Sequence, residues 1–462
     1  MKLKILIGGI LLASIGFLGV SRVNKVESPD RDKPNIVLIV ADDMGYGDLS
    51  CYGAAQGLTP NIDVLASKGV KYTHFYAPTP YCAPARASIL TGKQPLHHGL
   101  LENPAPDAGI DEPGLAPEEV TLAEHLVPHG YRSAIIGKWH LGHQEQFFPR
   151  NQGFDHYYGI LYSNDMRPVQ IWENETVVQP VVDQRYITQD YTDQAIDFIN
   201  QNQEQPFFLY LAHAMPHKPL AASPKFYTPD TPDDLYQDVI RELDHHVGRL
   251  LKHIDDQGLR DNTIIIFMSD NGPWFGGSTG NLKGMKATNW EGGIRIPFII
   301  DYPEGPAGQT VDQPAWIPDI LPTVADLAGL EIDDQQLDGR SIIPQIEGKE
   351  QIDRLIPSIH NDRVITVRKG DWKLFVDQPT HFNLPKDWVD PRAPDGKTII
   401  AQKEQSRPAA YPGLRPDEQA KKGALFHLTN DPEEREDLSA QYPEVVQALT
   451  AELQQFLNPN QP

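Results

Sequence analysis

Four short clusters of ionisable residues each follow a strand-like run, and they are the groups here that could do chemistry. Asp42-Asp43 follows residues 35–40, and Lys138-Trp139-His140 follows residues 131–136. His213 and the run Pro216-His217-Lys218-Pro219 follow residues 206–211, and Ser269-Asp270-Asn271-Gly272 follows residues 263–268. Adjacent acids at the end of a buried strand are costly unless something positive binds them; a helix N-cap would satisfy one of the two. Asp42, Asp43, Asp270 and Asn271 offer only hard oxygen ligands, which favours Ca²⁺ or Mg²⁺ over zinc, a metal that recruits His or Cys. Calcium's tolerance of irregular coordination suits a loop-built site better than magnesium's octahedron. Arg86, Lys138, Lys283 or Lys286, with His140 and His217, would supply cations for the oxygens of an anionic group in transfer and acid/base groups for the attacking and leaving atoms.

One run does not fit that chemistry as written. Cys82-Ala83-Pro84-Ala85-Arg86, leading to Leu90-Thr91-Gly92, sets one of only two cysteines beside a proline and an arginine at the start of a helix. A thiol is a poor partner for a hard cation. Pairing with Cys51 in a disulfide is the bland alternative, and a small buried hydrophobe is another.

The elements that must position these groups form one alternation. Runs at 35–40, 70–76, 131–136, 206–211, 263–268 and 294–300 read as strands, the continuously apolar, β-branched 35–40 as one buried on both faces of a parallel sheet and 294–300 as another buried strand, and 61–68, 121–128, 191–200 and 235–256 read as helices between them. Such alternation makes an α/β fold with a large, mostly parallel mixed sheet flanked by helices, in which strand ends converge on one crevice. Beyond about residue 357 short alternating stretches and a terminal amphipathic run at 443–457 predict a smaller C-terminal α+β domain with an antiparallel sheet and a final helix. The expected organisation is a leader at 1–25, a catalytic domain at 33–356 and a C-terminal unit at 357–462, with a Pro- and charge-rich insertion at 377–422.

Composition narrows the partners. The 462-residue chain carries a formal net charge of −23, which argues against nucleic acid and requires any anion site to be a local cluster of cations or a metal. Met1-Lys2-Leu3-Lys4 followed by an apolar run to Val20 reads as an export signal to the periplasm or outside, and an uncleaved segment would be the only membrane contact.

The Cys82 run resembles the signature of the type I sulfatases, members of the alkaline phosphatase superfamily. So do residues 41–53 (ADDMGYGDLSCYG), 137–142 (GKWHLG), Pro216-His217-Lys218-Pro219, Ser269-Asp270-Asn271-Gly272, residues 290–295 (WEGGIR), Leu337-Asp338-Gly339-Arg340-Ser341 and the late Leu425-Phe426-His427-Leu428 with Asp431-Pro432. The resemblance runs from about residue 35 to the end. It implies that a maturation enzyme oxidises Cys82 to Cα-formylglycine, whose hydrate ligates calcium and attacks sulfur. It implies Asp42, Asp43, Asp270 and Asn271 as the other ligands, with Arg86 and Lys138 holding the modified side chain. His140 would take the second hydroxyl's proton as sulfate leaves, and His217 and Lys286 would contact the sulfate and assist the leaving oxygen. Ser163 would support residue 82. Ala85 stands where serine is more frequent in the family, and Asn164 where some members have histidine. The substrate would be a sulfated carbohydrate or aryl sulfate; a phosphonate monoester or phosphodiester hydrolase and a non-catalytic binding protein are the competing readings. His213 matches no family position and is expected in a loop, and Cys51 is expected to be structural or inert.

Overall fold

The computed structural model describes residues 33–105, 113–228, 235–274, 276–351, 353–378 and 421–457. The leader and almost all of the 377–422 insertion lie outside the described residues. In chain order the strands of the large sheet are β1 (Asn35–Ala41), β2 (Val70–Tyr76), β3 (Arg132–Lys138), β4 (His156–Ile160), β5 (Ile171–Glu173), β6 (Thr176–Gln179), β7 (Phe207–Ala212), β8 (Thr263–Ser269), β9 (Arg295–Asp301), β10 (Gln309–Val311) and β11 (Ala315–Trp316).

Their spatial order is β10-β2-β9-β8-β1-β7-β3-β4-β5-β6, with β11 also on β2. β1 is central and parallel to both neighbours, Val37 lying opposite Leu209 on one side and Ile265 on the other. β3 is parallel to β7 and β4, whereas β9 runs antiparallel to β8 and β2. The continuous apolar character of β1 follows from burial on both faces. Ile36, Leu38 and Val40 pack with Phe208 and Ile266 on one side, and Val37 and Ile39 pack with Leu211 and Phe267 on the other. Two amphipathic helices, Ile187–Gln201 and Leu235–Asp256, close the second face; Leu243, Val247, Leu250 and Ile254 of the longer one recur at helical spacing. The first face is covered by helices, chiefly Cys82–Thr91 and Ile320–Leu327.

The smaller sheet is antiparallel in simple chain order, β12 (Ile356–His360), β13 (Arg363–Lys369), β14 (Trp372–Phe375) and β15 (Leu425–His427). The terminal helix Pro443–Leu457 presses Leu449 and Leu453 onto it. The sequence reading missed β4, β5, β6, β10, β11 and β12. Most are short, and β4, His156-Tyr157-Tyr158-Gly159-Ile160, ends on a Gly-Ile pair with no aliphatic run to mark it. Among the described residues no helix is long and apolar enough to cross a membrane.

Candidate active site

The carboxyl ends of β1 and β8 are tied together by the chain itself. After β1 the backbone turns at Asp43, whose φ of 62° is uncommon for a residue with a side chain. The Asp43 amide donates to Asp270 Oδ1 at 3.1 Å, and the Met44 amide donates to Ser269 Oγ at 2.9 Å. Asp42, Asp43, Asp270 and Asn271 are thereby gathered at one point, all buried.

Cys82 opens the helix Cys82–Thr91, every residue of which is buried. The Asn103 side chain accepts from the Ala83 amide at 2.9 Å, satisfying one of the free donors of the first turn. One turn of helix brings Arg86 to the same side as Cys82. The Cys82 sulfur lies 3.4 Å from Asp42 Oδ1 and 3.7 Å from Asp43 Oδ1, and the Lys286 ammonium is 3.0 Å from it. Burial pushes this thiol well above its ordinary value, outweighing the nearby Lys138 and Lys286. Both cysteines are free, so the disulfide alternative falls. Cys51 is half-buried, its thiol pushed up to about 12 by burial and by Asp63.

Arg86 donates through Nε to Asp270 Oδ2 at 2.9 Å and through Nη1 to the Lys138 carbonyl at 3.0 Å. Lys138 is delivered by Gly137 at the end of β3. A Cβ at Gly137 would stand 1.8 Å from the Ala212 carbonyl oxygen, so only glycine lets β3 lie this close to β7. The Lys138 ammonium donates to Asp42 Oδ2 at 2.7 Å and to Ser163 Oγ at 3.2 Å.

The two histidines are held in opposite senses. His140 Nε2 sits 3.2 Å from the Pro104 carbonyl, an acceptor, so this nitrogen carries the proton; Nδ1 is buried without a partner and is left as the base. Burial, with Lys138, Arg86 and Lys286 adding to it, holds the ring well below 6.5, hence neutral. His217 Nδ1 faces Asn164 Oδ1 at 2.9 Å and the Lys218 carbonyl at 2.6 Å, which fixes its proton on Nδ1 and turns Nε2 toward Asp43, 3.6 Å away. Ser163 lies between two other groups of the site. Its hydroxyl bridges Lys138 and His217, at 3.2 and 3.3 Å. Asn164 is clamped by Gln184, whose side-chain amide donates to its backbone carbonyl at 2.8 Å, and its Oδ1 faces His217 Nδ1. Gln184 was invisible in the sequence, a neutral amide at the start of a short 3-10 turn, Gln184–Tyr186, with no motif to mark it. His213, expected in a loop, is fully buried just past β7, with neither ring nitrogen partnered.

The choice between the two loop lysines is resolved by position. Lys286 donates to Asp43 Oδ2 at 2.8 Å, and the Asp43 carboxylate raises it against the opposing effect of burial. Lys283 points elsewhere, its ammonium 4.0 Å above the Trp290 ring.

Three buried carboxylates, Asp42, Asp43 and Asp270, therefore face three buried cations, Arg86, Lys138 and Lys286. Asp42, Asp43, Asp270 and Cys82 each offer a ligand atom within 4.8 Å of the others. Asn271 donates through Nδ2 to Asp43 and to Gly272, yet its Oδ1 is buried with no partner. An orphaned amide oxygen beside three converging carboxylates fits a hard cation. With the protein charges already balanced, a divalent ion would leave local positive charge for an anion, which resolves the conflict with the net charge of −23. Above the cluster opens a cavity of about 210 Å³, walled by Tyr81, His140, Ser163, His217, Trp274 and Lys286.

A mostly parallel sheet with metal-type carboxylates, cations and two oriented histidines at its carboxyl edge defines an esterase for anionic esters on an alkaline-phosphatase-like fold. The chain belongs to the sulfatase family: that family's model, described as Sulfatase, matches residues 34–330. It is 34% identical over 470 residues to the N-acetylgalactosamine-6-sulfatase of Canis lupus familiaris, covering 93% of this chain and 87% of that one. It is 34% identical over 404 residues to arylsulfatase G of Mus musculus, covering 76% and 75%. The crystal structure of Ps i-CgsB in complex with k-i-k-neocarrahexaose superposes with a TM-score of 0.75 at 28% identity, covering 93% and 94% of the two chains. The chain is accordingly an enzyme, a hydrolase of sulfate esters.

Proposed function

We propose that the enzyme hydrolyses sulfate monoesters on a carbohydrate and releases inorganic sulfate, with residue 82 converted from cysteine to Cα-formylglycine by a maturation enzyme and Ca²⁺ held by Asp42, Asp43, Asp270 and Asn271. The observation that carries this reading is the Cys82 sulfur lying 3.4 Å from Asp42 and 3.0 Å from Lys286 beneath the cavity, where an unmodified thiol has no use. A hydrated aldehyde there supplies one hydroxyl to attack sulfur and a second from which a proton can be taken, and the cation supplies charge for the sulfate oxygens.

The remaining roles fall to side chains already placed. Arg86 and Lys138 steady residue 82 through Asp270 and Asp42 and offset negative charge on its oxygen. His140 accepts a proton at the unpartnered Nδ1. His217 and Lys286 bind the sulfate oxygens and stabilise the leaving oxygen, and Ser163 aligns Lys138 with His217. A carbohydrate is supported by the sugar named for one relative and by the oligosaccharide bound to the similar structure. Export to the periplasm or outside is supported by the leader.

Mass spectrometry of the peptide containing Cys82, with sulfate release from sulfated sugars and aryl sulfates, tests the reading. Loss of the thiol in favour of the aldehyde together with sulfate release supports it. An unmodified thiol in active enzyme, or clear preference for an aryl phosphodiester, rejects it; a modified, metal-replete protein inactive on every ester would be a binding protein instead.

A further inference from the structure

We propose that the small C-terminal sheet is a working part of the active site, and that Glu434 is a positioning residue for Lys286. The proposal rests on the role given above to Lys286.

Lys286 reaches Asp43 and Cys82 from a stretch with little regular structure. The backbone around it takes left-handed φ values at Asn281 (74°), Gly284 (81°) and Ala287 (67°), so the stretch depends on its neighbours for its shape. Near the tip the Lys286 amide donates to the Pro273 carbonyl at 2.9 Å and the Ala287 amide to the Pro80 carbonyl at 3.1 Å. At the base the Gly292 amide closes onto the Lys283 carbonyl at 2.7 Å. Other supports come from the C-terminal part of the chain. Trp290 packs on Phe375 and Phe426, at 4.7 and 5.7 Å between ring centroids, and Asn289 Nδ2 donates to Ser358 Oγ at 2.8 Å.

Glu434 joins both ends of that stretch. It is fully buried and left-handed at φ 53°. Its carbonyl accepts from Lys283 Nζ at 3.2 Å, three residues before Lys286, and its Oε2 accepts from the Glu291 amide at 2.7 Å, five residues after. Its Oε1 lies 2.8 Å from Lys373 Nζ on β14, and Lys373 is also 3.1 Å from Glu291 Oε1. Directional contacts on both sides of Lys286 fix the register of the stretch, which greasy packing alone would leave free to slide. Glu434 does not line the cavity.

A double-mutant cycle separates positioning from mere attachment of the two sheets. Glu434→Gln is expected to lower kcat/KM roughly 10- to 100-fold, mostly in kcat, with conversion of Cys82 unchanged by mass spectrometry. In a Lys286→Ala background the same change is expected to alter kcat/KM less than about twofold, because there is no ammonium left to place. Equal losses in both backgrounds would overturn the proposal while leaving Lys286 in its role. Full activity of Lys286→Ala alone would overturn both. If Glu434→Gln does not fold, Lys283→Met removes the partner of the Glu434 carbonyl instead, and the same coupling to Lys286→Ala decides.

Discussion

Lys286 places its ammonium 3.0 Å from the Cys82 sulfur, across 204 residues of sequence, and the same nitrogen lies 2.7 Å from Asp43 Oδ1. One cation thus touches the residue proposed to attack and a residue of the metal-type cluster. Substituting alanine removes a preorganised charge from a water-poor site, a change that typically costs about 10²–10³ in kcat. Lys286→Ala is therefore expected to lose roughly that factor in sulfate release, with the folded state and Cys82 conversion intact. Activity within threefold of the parent would show that this ammonium does not meet the reacting group.

Asp270 serves two partners, accepting from the Asp43 amide through Oδ1 and from Arg86 through Oδ2. Burial raises its carboxyl above the ordinary value, Arg86 opposing, so the site needs cations to keep it ionised. Stripping divalent ions with a chelator is expected to abolish activity and lower the melting temperature, and calcium is expected to restore both better than magnesium. Saturation at about 100 times Kd would add about 2.7 kcal/mol of stability. Asp270→Asn should weaken that rescue and leave Arg86 short of a buried partner, a loss of order 3–5 kcal/mol. A chelated enzyme with unchanged melting and turnover would contradict the assignment.

Much of this site was legible because β1, β7 and β8 are almost entirely apolar and stop abruptly before Asp42, the approach to His217, and Asp270, and the Ala134-Ile135-Ile136 core of β3 gives way to Gly137 and Lys138 in the same manner. Burial on both faces writes a strand into local sequence, and the parallel order then brings the ends together. What stayed hidden depends on distant chain. Glu434 sits in the charged run Asp431-Pro432-Glu433-Glu434-Arg435-Glu436, which reads as solvated surface; only the seating of the small sheet against Glu291 and Lys373 buries it. The residues alone left Lys283 and Lys286 open inside a glycine-rich stretch, and only the family resemblance put Lys286 first, since backbone geometry rather than residue type aims the side chain. The partners of Ser163 depended equally on where Lys138 and His217 fell in space.

Neither thiol should behave as a reactive cysteine. Burial holds Cys82 well above its ordinary value, and burial with Asp63 holds Cys51 at about 12. At pH 8 in the native state both are expected to resist alkylation by iodoacetamide, since the thiolate is the nucleophile. In denaturant Cys51 should react fully, and Cys82 only in the fraction that escaped conversion. Rapid native labelling at position 82 would mean that its surroundings are open to solvent.

His97 gives the fold a pH dependence of known sign. Its Nδ1 lies 2.8 Å from the Asp338 carboxylate, which also accepts from the Gln94 amide at 2.8 Å, and the ring stacks against Phe456 of the terminal helix at 6.4 Å. The hydrogen bond to Asp338 raises the imidazole above 6.5, with burial opposing. The folded state therefore binds this proton more tightly than the unfolded chain. The stabilisation is complete below the unfolded value of about 6.5 and is lost as pH rises through the higher folded value. Because about half of the His97 side chain is exposed, solvent keeps the effect small. The melting temperature of the parent is expected to fall slightly more than that of His97→Gln as pH is raised from about 6 to 8. Titration of the His97 ring by NMR reads the cause directly, and a midpoint at or below 6.5 would show that Asp338 does not hold the proton.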